Sequence, residues 1–359
     1  MDRWITTSEA AERLGVKRGT LYSYVSRGVL HSRRMPGQAE SLFDRTEVDS
    51  LAAAKHDGRR EADRLLRFRA VTTRVSSLRG DALHLRGRPI AAVCAELDFA
   101  AAARFVLEVD VDAVVAPPTV DLDPARAVAL ERRIPLAVAL LAAQDPVRAD
   151  RTHVAERALG LLPVLAGFVP EARLDHPWVD ALATCLIDNG LAASTTAARV
   201  AASARAGFYD ALLAGYGAMA GVLHGGAPAA AYAMLGQVLS GGDVDAAIVD
   251  AAWGGHLAGF GHIVYTGEDP RATVVLGLMR ADDPDAPALR AVAELAARTG
   301  RAVNIDLAGA AVAHTLGLPA RATEVLFQYG RTVGMAAHIA EEYDEAPLRW
   351  RGTNSGGVR

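Results

Sequence analysis

Apolar residues recur at helical spacing along most of the chain, and short stretches rich in glycine and proline separate the helical segments. Strand patterns are short and lie in stretches such as residues 70–75 and 82–86. The spacing predicts helices in the body of the chain over residues 152–168, 177–189, 195–220, 228–239, 243–252, 285–299 and 320–342. From about residue 70 onward, the pattern therefore predicts a mainly α fold.

The N-terminal segment shows a different order of elements. A capping box at residues 6–9 starts a helix, and Gly15 ends it at a position that requires a positive φ. The apolar spacing over residues 16–25 predicts a second helix. A Pro-Gly turn at residues 36–37 predicts a small hairpin, and a third helix begins near residue 44.

This order of helix, tight turn, helix and wing resembles the winged helix-turn-helix domains of excisionase-like and mercury-regulator-like proteins, over residues 3–55. The resemblance implies that the second helix enters a DNA major groove, and one copy would hold DNA weakly, so a dimer is expected. A helical appendage that packs on the body and carries ordinary surface arginines is the alternative. The polar and basic side chains placed to contact DNA are Lys17, Arg18, Thr20, Tyr22, Arg33 and Arg34.

Charge divides the chain at nearly the same place. Residues 1–69 carry 14 Lys/Arg and 10 Asp/Glu, a net charge of +4, whereas residues 70–359 carry 24 and 32, a net charge of −8. A basic head on an acidic body indicates two separate roles. The chain as a whole is 51% apolar and 22% charged, which excludes disorder for most of its 359 residues and leaves room for two or three domains.

Three features predict a cytoplasmic protein. The two cysteines, Cys94 and Cys185, match no metal or redox spacing, so nothing in the sequence indicates a disulfide framework. The N-terminus lacks the apolar core of a signal peptide. The apolar stretch over residues 211–236 contains a Gly-Gly-Ala-Pro break, which favours buried helices joined by a turn over a membrane span.

Polar islands interrupt this apolar helical background, and they carry the candidate chemistry. Each polar residue has a structural explanation when taken singly: Asp306 as a helix cap, Arg331 as an interhelical salt bridge, a histidine as a hydrogen-bonding group. The histidines lack the i,i+4 spacing of a helical metal pair and no cysteine is near, so no metal site is predicted. The islands are residues 221–228 with His224, 259–271 with His262 and Arg271, 303–309 with Asp306, and 330–334 with Arg331.

Taken together, in this order, the islands resemble the citrate synthase family. The family's signatures are a Leu- or Ala-His-Gly-Gly-Ala stretch, a Gly-Phe-Gly-His-x-Val-Tyr stretch ending in Asp-Pro-Arg, an Asn-x-Asp segment and an Arg-Thr-x-Gly segment, and this sequence contains all four. The match extends upstream to residues 73–76 and 85–90 and downstream to 349–351, so it covers about residues 70–351.

The resemblance implies a large helical domain and a smaller one that closes over the substrates and excludes water. With the N-terminal segment, it predicts four parts of the chain. These are a helix-turn-helix domain at 1–55, a charged linker at 56–69, a large domain at 70–232 and 333–359, and a small domain at 233–332.

The implied activity is that of an acyltransferase that condenses acetyl-CoA, or another short acyl-CoA, with oxaloacetate or a related 2-oxo acid to give citrate or a homologue. Asp306 would remove the methyl proton, His224 would hydrogen-bond to the thioester oxygen, and His262 would polarise the oxo group. No cofactor or metal is implied beyond the acyl-CoA substrate.

The resemblance also implies how the anionic substrates are held. Their carboxylates need fixed positive groups, and Arg271 and Arg331 occupy the family's substrate-arginine positions. Arg349 resembles the arginine that reaches into the neighbouring subunit's site, which implies a homodimer.

Some positions depart from the family pattern. Asn189 stands where the family has a histidine that binds the oxo acid, and an amide donates a hydrogen bond but carries no charge. Ile263 and Thr266 replace an arginine and a lysine near the expected coenzyme A phosphates. Two functions from different classes therefore stay open. One is the acyltransferase, which the presence of Asp306 favours, and the other is a DNA-binding transcriptional regulator that senses a CoA thioester or a di- or tricarboxylate.

Overall fold

In a computed structural model of the chain, the described residues form two compact units, Met1–Thr72 and Thr73–Arg359. Each unit has its own apolar core. The structure describes residues 4–17, 21, 25, 30, 32–33, 41–45, 47–49, 71–110, 113–169, 173–253 and 256–350.

In the first unit, the predicted capping box and helix end are confirmed. Glu9 N–H donates to the Thr6 hydroxyl at 3.2 Å, and Thr6 N–H donates to the Glu9 carboxylate at 2.8 Å. Gly15 closes the helix with φ 60°. Leu21 and Val25 are helical, as predicted, whereas the Pro-Gly turn lies outside the described residues. The elements with described bounds are β1 (Trp4–Thr6), α1 (Thr7–Leu14), β2 (Ser32–Arg33) and β3 (Leu42–Asp44).

These strands form an antiparallel sheet in the order β1-β3-β2. Ile5 pairs with Phe43, and Phe43 pairs with Ser32 on its other side. The buried side of the sheet and α1 enclose a small apolar core. Its members are Ile5, Ala10, Ala11, Leu14, Leu21, Leu30, Phe43 and Val48.

The second unit begins with an antiparallel meander of three strands, β4 (Ser76–Arg79), β5 (Ala82–Leu85) and β6 (Arg88–Pro89). The strand predicted at 82–86 is confirmed, but the one predicted at 70–75 is wrong, because the strand begins at Ser76. The N–H groups of the preceding backbone donate to side chains: Arg74 N–H to Glu341 at 2.8 Å, and Val75 N–H to the Thr73 hydroxyl at 3.1 Å. The Val75 carbonyl accepts the N–H of Arg86, directly after β5, at 2.9 Å.

The remainder of the second unit is helical, which confirms the predicted fold class. One short two-stranded sheet, β7 (Ala252–Trp253) with β8 (His256–Leu257), interrupts the helices. The helices are α2 (Ile90–Glu96), α3 (Phe99–Leu107), α4 (Asp123–Arg126), α5 (Arg133–Ala143), α6 (Val154–Ala166), α7 (Pro177–Cys185), α8 (Ala193–Ser203), α9 (Phe208–Met219), α10 (Ala227–Leu239), α11 (Val244–Ala251), α12 (Pro270–Asp282), α13 (Pro287–Thr299), α14 (Ile305–Thr315) and α15 (Ala322–Tyr343).

Two helix predictions need correction. The helix predicted over 195–220 is two helices, α8 and α9, because Arg205 adopts φ 61° between them. Its guanidinium donates to the backbone carbonyls of Glu342 and Tyr343, at 3.2 and 2.9 Å, which holds this turn in place. The helix predicted over 177–189 ends at Cys185, and the four residues after it form an irregular segment.

Helix α15 runs through the core of the second unit. Of its 22 residues, all but Ala340 and Glu341 are buried, which is typical of a helix surrounded by other helices. It packs against α3, α6, α8 and α9. The predicted border between the large and small domains, at 332/333, falls inside this helix, and that division stays a prediction.

None of the helices in the described ranges combines the length and apolar character that a bilayer crossing requires.

Candidate active site

Backbone hydrogen bonds join two of the polar islands, those that contain His262 and Asp306. Gly261 N–H donates to the carbonyl of the residue two before Asn304, at 2.8 Å, and Asn304 N–H donates to the carbonyl of Gly259 at 3.0 Å. The Asn304 side chain donates to the Gly261 carbonyl, also at 3.0 Å. This pairing of two loops brings the segment of His262 to the N-terminus of α14, where Asp306 lies.

Asp306 occupies the first turn of α14. The Asn304 side chain caps this helix and accepts the Asp306 N–H at 2.9 Å. The Asp306 carboxyl lines a small cavity whose other walls are mostly apolar. Burial raises its pKa to about 7, although the nearby Arg271 charge opposes the rise. A carboxyl of this kind is a proton acceptor suited to neutral pH. The cavity is lined by Leu182, Leu186, Pro228, Ile305, Asp306, Gly309, Thr323 and Phe327.

His262 is held as a neutral imidazole. Burial, followed by the Arg271 charge, lowers its pKa to about 4. Val264 N–H donates to Nδ1 at 3.2 Å, so the single ring proton is on Nε2. Nε2 lies 3.2 Å from the amide nitrogen of Asn189, whose oxygen accepts the Tyr265 hydroxyl. Turning that amide would give the ring N–H an acceptor but would take the oxygen away from Tyr265. His262 is therefore a neutral imidazole whose Nε2 lies against Asn189.

His224 lies in the turn between α9 and α10. Burial, followed by the Arg331 and Arg271 charges, lowers its pKa to about 3, so it is neutral at physiological pH. Its Nε2 lies 2.9 Å from the Ser194 hydroxyl. When that hydroxyl donates, Nδ1 carries the ring proton and can donate to a ligand oxygen. The ring also packs edge-on against Phe327, with 5.2 Å between the centroids.

Arg271 is the second residue of α12. Its side chain is buried and paired with a carboxylate. Its Nε and a terminal nitrogen donate to the two oxygens of Asp269, at 2.9 and 2.7 Å. Burial alone would lower the pKa of Arg271, but the Asp269 charge outweighs burial and raises it. Asp269 also accepts the N–H of Ile305 at 3.1 Å, which fixes the arginine beside the start of α14.

Arg331 lies midway along α15 with its side chain completely buried. Its Nε donates to the Leu186 carbonyl at 3.0 Å, and a terminal nitrogen lies 3.5 Å from the Asp188 carboxylate. Burial lowers the pKa of Arg331 to about 10, so the guanidinium is charged at neutral pH. The guanidinium carbon of Arg331 lies 5.0 Å from the centroid of the Phe327 ring.

The structure thus brings together five of the side chains that the sequence singled out. They lie close enough for their charges to shift one another's pKa values. Asn189 joins them through its contact with His262. The five are His224, His262, Arg271, Asp306 and Arg331.

Arg349 lies apart from this group. It donates to both carboxylate oxygens of Glu342, at 2.7 Å each, and its guanidinium carbon lies 5.8 Å from the centroid of the Trp350 ring. Its predicted role in a neighbouring subunit stays a prediction.

Sequence reasoning missed the buried carboxylate that supports Arg331. Asp188 accepts hydrogen bonds from the Thr195 hydroxyl and from Nε2 of His338, each at 3.0 Å, and from the Ser76 hydroxyl. Burial alone would raise the pKa of Asp188, but the His338 and Arg331 charges outweigh it and lower the pKa. Its role could not be read from the local sequence, because its partners come from three separate segments, β4, α8 and α15.

Asp269 was noted in the sequence only as part of the Asp-Pro-Arg motif. It caps α12, and its side chain accepts the N–H of Arg271 at 3.0 Å in addition to the guanidinium. A carboxylate at a helix N-cap, two positions before an arginine, is a local signal that could have indicated this pair.

The predicted DNA-contacting side chains are mostly beyond structural description. Lys17 is exposed, and the backbone of Arg33 forms part of β2. The other four lie outside the described residues: Arg18, Thr20, Tyr22 and Arg34.

Two neutral imidazoles, a carboxyl with a pKa near neutrality and two buried guanidinium groups, in a mainly helical fold, define a site suited to proton abstraction beside a carbonyl of an anionic ligand. The chain belongs to the citrate synthase family, because the sequence model described as "Citrate synthase, C-terminal domain" matches residues 123–351, more than half of the chain. A second model, described as "Helix-turn-helix domain", matches residues 4–56. Both resemblances found in the sequence are confirmed.

Relatives and solved structures agree with this assignment. The chain is 40% identical over 181 residues to "Putative citrate synthase 2" of Mycobacterium tuberculosis strain H37Rv, a match that covers 47% of each chain. It is 34% identical over 171 residues to the citrate synthase of Haloferax volcanii, covering 45% of each. The match thus spans about half the length of these curated relatives.

Among solved structures, the citrate synthase of Thermoplasma acidophilum, in a ternary complex with carboxymethyl coenzyme A and oxaloacetate, has a TM-score of 0.68 at 20% identity. The match covers 81% of this chain and 94% of that one. The citrate synthase of Thermotoga maritima has a TM-score of 0.64, also at 20% identity, with the same coverage. At this identity the likeness shows the fold.

Proposed function

We propose that the chain is an acyltransferase that condenses acetyl-CoA, or another short acyl-CoA, with oxaloacetate or a related 2-oxo acid to give citrate or a homologue and free coenzyme A. The observation that supports this most is the Asp306 carboxyl, whose pKa is about 7 and which lies within reach of the same Arg271 charge as two neutral imidazoles. A site that only senses a metabolite has no need of a proton acceptor next to hydrogen-bond donors.

Each side chain has a defined step in this reaction. The Asp306 carboxylate takes a proton from the acyl α-carbon, and the His224 N–H donates to the thioester oxygen, where negative charge develops. The carbon nucleophile then attacks the oxo carbon, whose oxygen accepts a hydrogen bond from the His262 N–H. Water hydrolyses the resulting thioester and releases coenzyme A as the thiol.

The buried arginines support a dicarboxylate partner. Arg271 and Arg331 stay protonated at neutral pH, and each is oriented by a carboxylate, so they present fixed positive charge in a region with little water. The family's histidine at position 189 is replaced by an amide that contacts His262. The pocket therefore has one cation fewer, and we expect it to bind oxaloacetate more weakly than the family pattern implies.

The cavity beside Asp306 supports a short acyl chain. It is small, and it is lined by residues of four helices, α7, α10, α14 and α15, among them Leu182, Pro228 and Phe327. A methyl or ethyl group fits such a space with less rearrangement than a longer chain.

The proposed activity is tested by thiol release from acetyl-CoA and propionyl-CoA with oxaloacetate. We expect turnover with at least one pair, and loss of about 10³-fold or more in kcat for Asp306→Asn, because the base is removed and its shape is kept. Asp282→Asn, an exposed carboxyl at the end of α12, is the matched control and should keep full activity. Absence of thiol release with every pair would contradict the proposal.

We also infer that the active unit is a homodimer to which Arg349 contributes across the subunit interface. In its own chain Arg349 binds Glu342 and lies apart from the five central side chains, as a residue that serves a neighbouring site would.

DNA binding by the N-terminal unit is a second candidate function, which the helix-turn-helix match over residues 4–56 favours. The combined protein would then act on a metabolite and on DNA. Retardation of DNA fragments, lost when Arg18 and Arg34 become alanine and kept in Asp306→Asn, would support this role. Equal retardation by the double alanine variant would contradict it.

A further inference from the structure

The second unit places the two cysteines of the chain in contact. Cys94 Sγ, in α2, lies 3.6 Å from Cys185 Sγ, the last residue of α7, although 91 positions separate them. Their spacing in the sequence indicated no pairing, because the contact arises from the packing of α2 on α7. Cys94 and Cys185 are the only two cysteines of the chain, so any thiol chemistry can be assigned unambiguously.

The two sulfurs differ in their access to solvent. Cys94 is half-buried and lines a cleft of about 650 Å³, with Phe99, Pro177 and Tyr329 among its walls. Cys185 is fully buried behind it. Hydrogen bonding to the Cys94 sulfur, together with burial, raises the pKa of the Cys185 thiol well above its usual value. A small reagent in the cleft therefore meets Cys94 first.

We propose that Cys94 and Cys185 form a peroxide-sensitive dithiol that closes to an intramolecular disulfide. The Cys94 sulfur attacks one oxygen of a peroxide, the O–O bond breaks, and Cys94 becomes a sulfenic acid. The other oxygen takes up the proton of the Cys94 thiol and leaves as water or an alcohol. The Cys185 sulfur then attacks the Cys94 sulfur. The S–S bond forms, the S–O bond breaks, and the hydroxyl leaves as water with the Cys185 proton. Two thiols are oxidised and one peroxide is reduced.

The geometry suits this reaction. The sulfurs must approach from 3.6 Å to about 2.0 Å, the length of a disulfide bond. Both cysteines lie near the C-terminal ends of their helices, Cys94 two residues before the end of α2 and Cys185 at the end of α7, where small shifts disturb few backbone hydrogen bonds. The Cys185 sulfur also lies 3.9 Å from the carbonyl of Arg271, so the modification would occur directly behind the candidate active site.

The test uses the full chain in its native state, treated with hydrogen peroxide and then denatured in a thiol-blocking reagent. We expect free thiols to fall from two to none, with loss of the mass of two hydrogen atoms, and dithiothreitol to restore both thiols. Trypsin releases Cys94 within residues 87–104 and Cys185 within residues 174–199, so a linked peptide of these two ranges identifies the bond. Cys94→Ser and Cys185→Ala are the controls, and neither should yield the linked peptide.

Three results would overturn the proposal: retention of both thiols, oxidation that stops at a single sulfur, or a link found only between two chains on a non-reducing gel. A linked peptide that forms only when peroxide is added to unfolded protein would overturn it as well. Because the readout is mass and thiol count, it does not depend on catalytic activity.

Discussion

Asp306 illustrates how a single side chain acquires its chemistry from its surroundings. An aspartate in the first turn of a helix is ordinarily a stabilising anion, because the helix dipole favours its charge. Here burial beside an apolar cavity outweighs that effect and the Arg271 charge, and it raises the pKa to about 7. The same sequence position in a solvated loop would give an ordinary carboxylate and a weak base.

The pH dependence of turnover follows from this pKa. We expect kcat/KM to rise with pH through an apparent pKa near 7 and then to level off, because the free enzyme must hold Asp306 ionised. His224 and His262, whose pKa values are about 3 and 4, stay neutral across this range and add no second transition. A pH series of initial rates measures it, and a transition near pH 4 would contradict the assignment of the base.

Asp306 should also lower the stability of the protein as the pH rises from about 4 to about 7. Its folded pKa, about 7, exceeds the unfolded value of about 3.9, so the folded state binds the proton more tightly and its stability falls as pH rises between these values. Asp306→Asn lacks this loss. We expect its stability relative to wild type to increase by about 3–4 kcal/mol from pH 4 to pH 8 in urea unfolding. A constant difference would show that the pKa is not raised.

At the scale of secondary-structure elements, the candidate site depends on close packing between α15 and the segment that follows α7. Gly330 and Gly334 face this segment, and a Cβ at Gly334 would lie 2.1 Å from the Ile187 carbonyl oxygen. The absence of side chains allows the two backbones to approach. This approach brings Asp188 and Asn189 beside Arg331 and His262.

Gly334→Ala is therefore expected to destabilise the protein by about 3 kcal/mol, because the obstructing atom belongs to the backbone and cannot rotate away. Gly217, an exposed glycine inside α9, provides the matched control, since nothing lies within 4 Å of an added Cβ. Gly217→Ala should raise stability by about 0.5–1 kcal/mol through helix propensity. Thermal or urea unfolding of both variants tests the pair, and equal effects would contradict close packing at Gly334.

At the scale of the whole molecule, buried charges link the C-terminal end of α15 to the candidate site. Glu342 accepts from Arg349 and Arg199, at 2.7 and 2.8 Å. Arg199 lies 3.0 Å from Nδ1 of His338, whose Nε2 lies 3.0 Å from Asp188. Arg349, the residue proposed to cross the subunit interface, is thus connected by a continuous series of polar contacts to Asp188, the carboxylate beside Arg331 in its own chain.

A complementation experiment tests the shared site. Asp306→Asn and Arg349→Ala are each expected to be inactive, but a refolded mixture should regain about a quarter of wild-type activity, because half of the dimers are hybrids and each hybrid has one intact site. If Arg349 serves its own subunit, hybrids have no intact site and the mixture stays inactive. Size-exclusion chromatography with light scattering verifies that both variants remain dimeric.

The sequence alone determined the order of local elements and the chemistry available to them. Capping residues, apolar spacing and glycine positions fix where most helices start and end, since these are short-range effects, and the four motifs named the family and its polar residues. Only tertiary structure decided what depends on distant packing: the carboxylate network around Asp188, the contact of Cys94 with Cys185, and the pKa of Asp306. Burial and charge pairing are properties of neighbours in space, and those neighbours lie far apart along the chain.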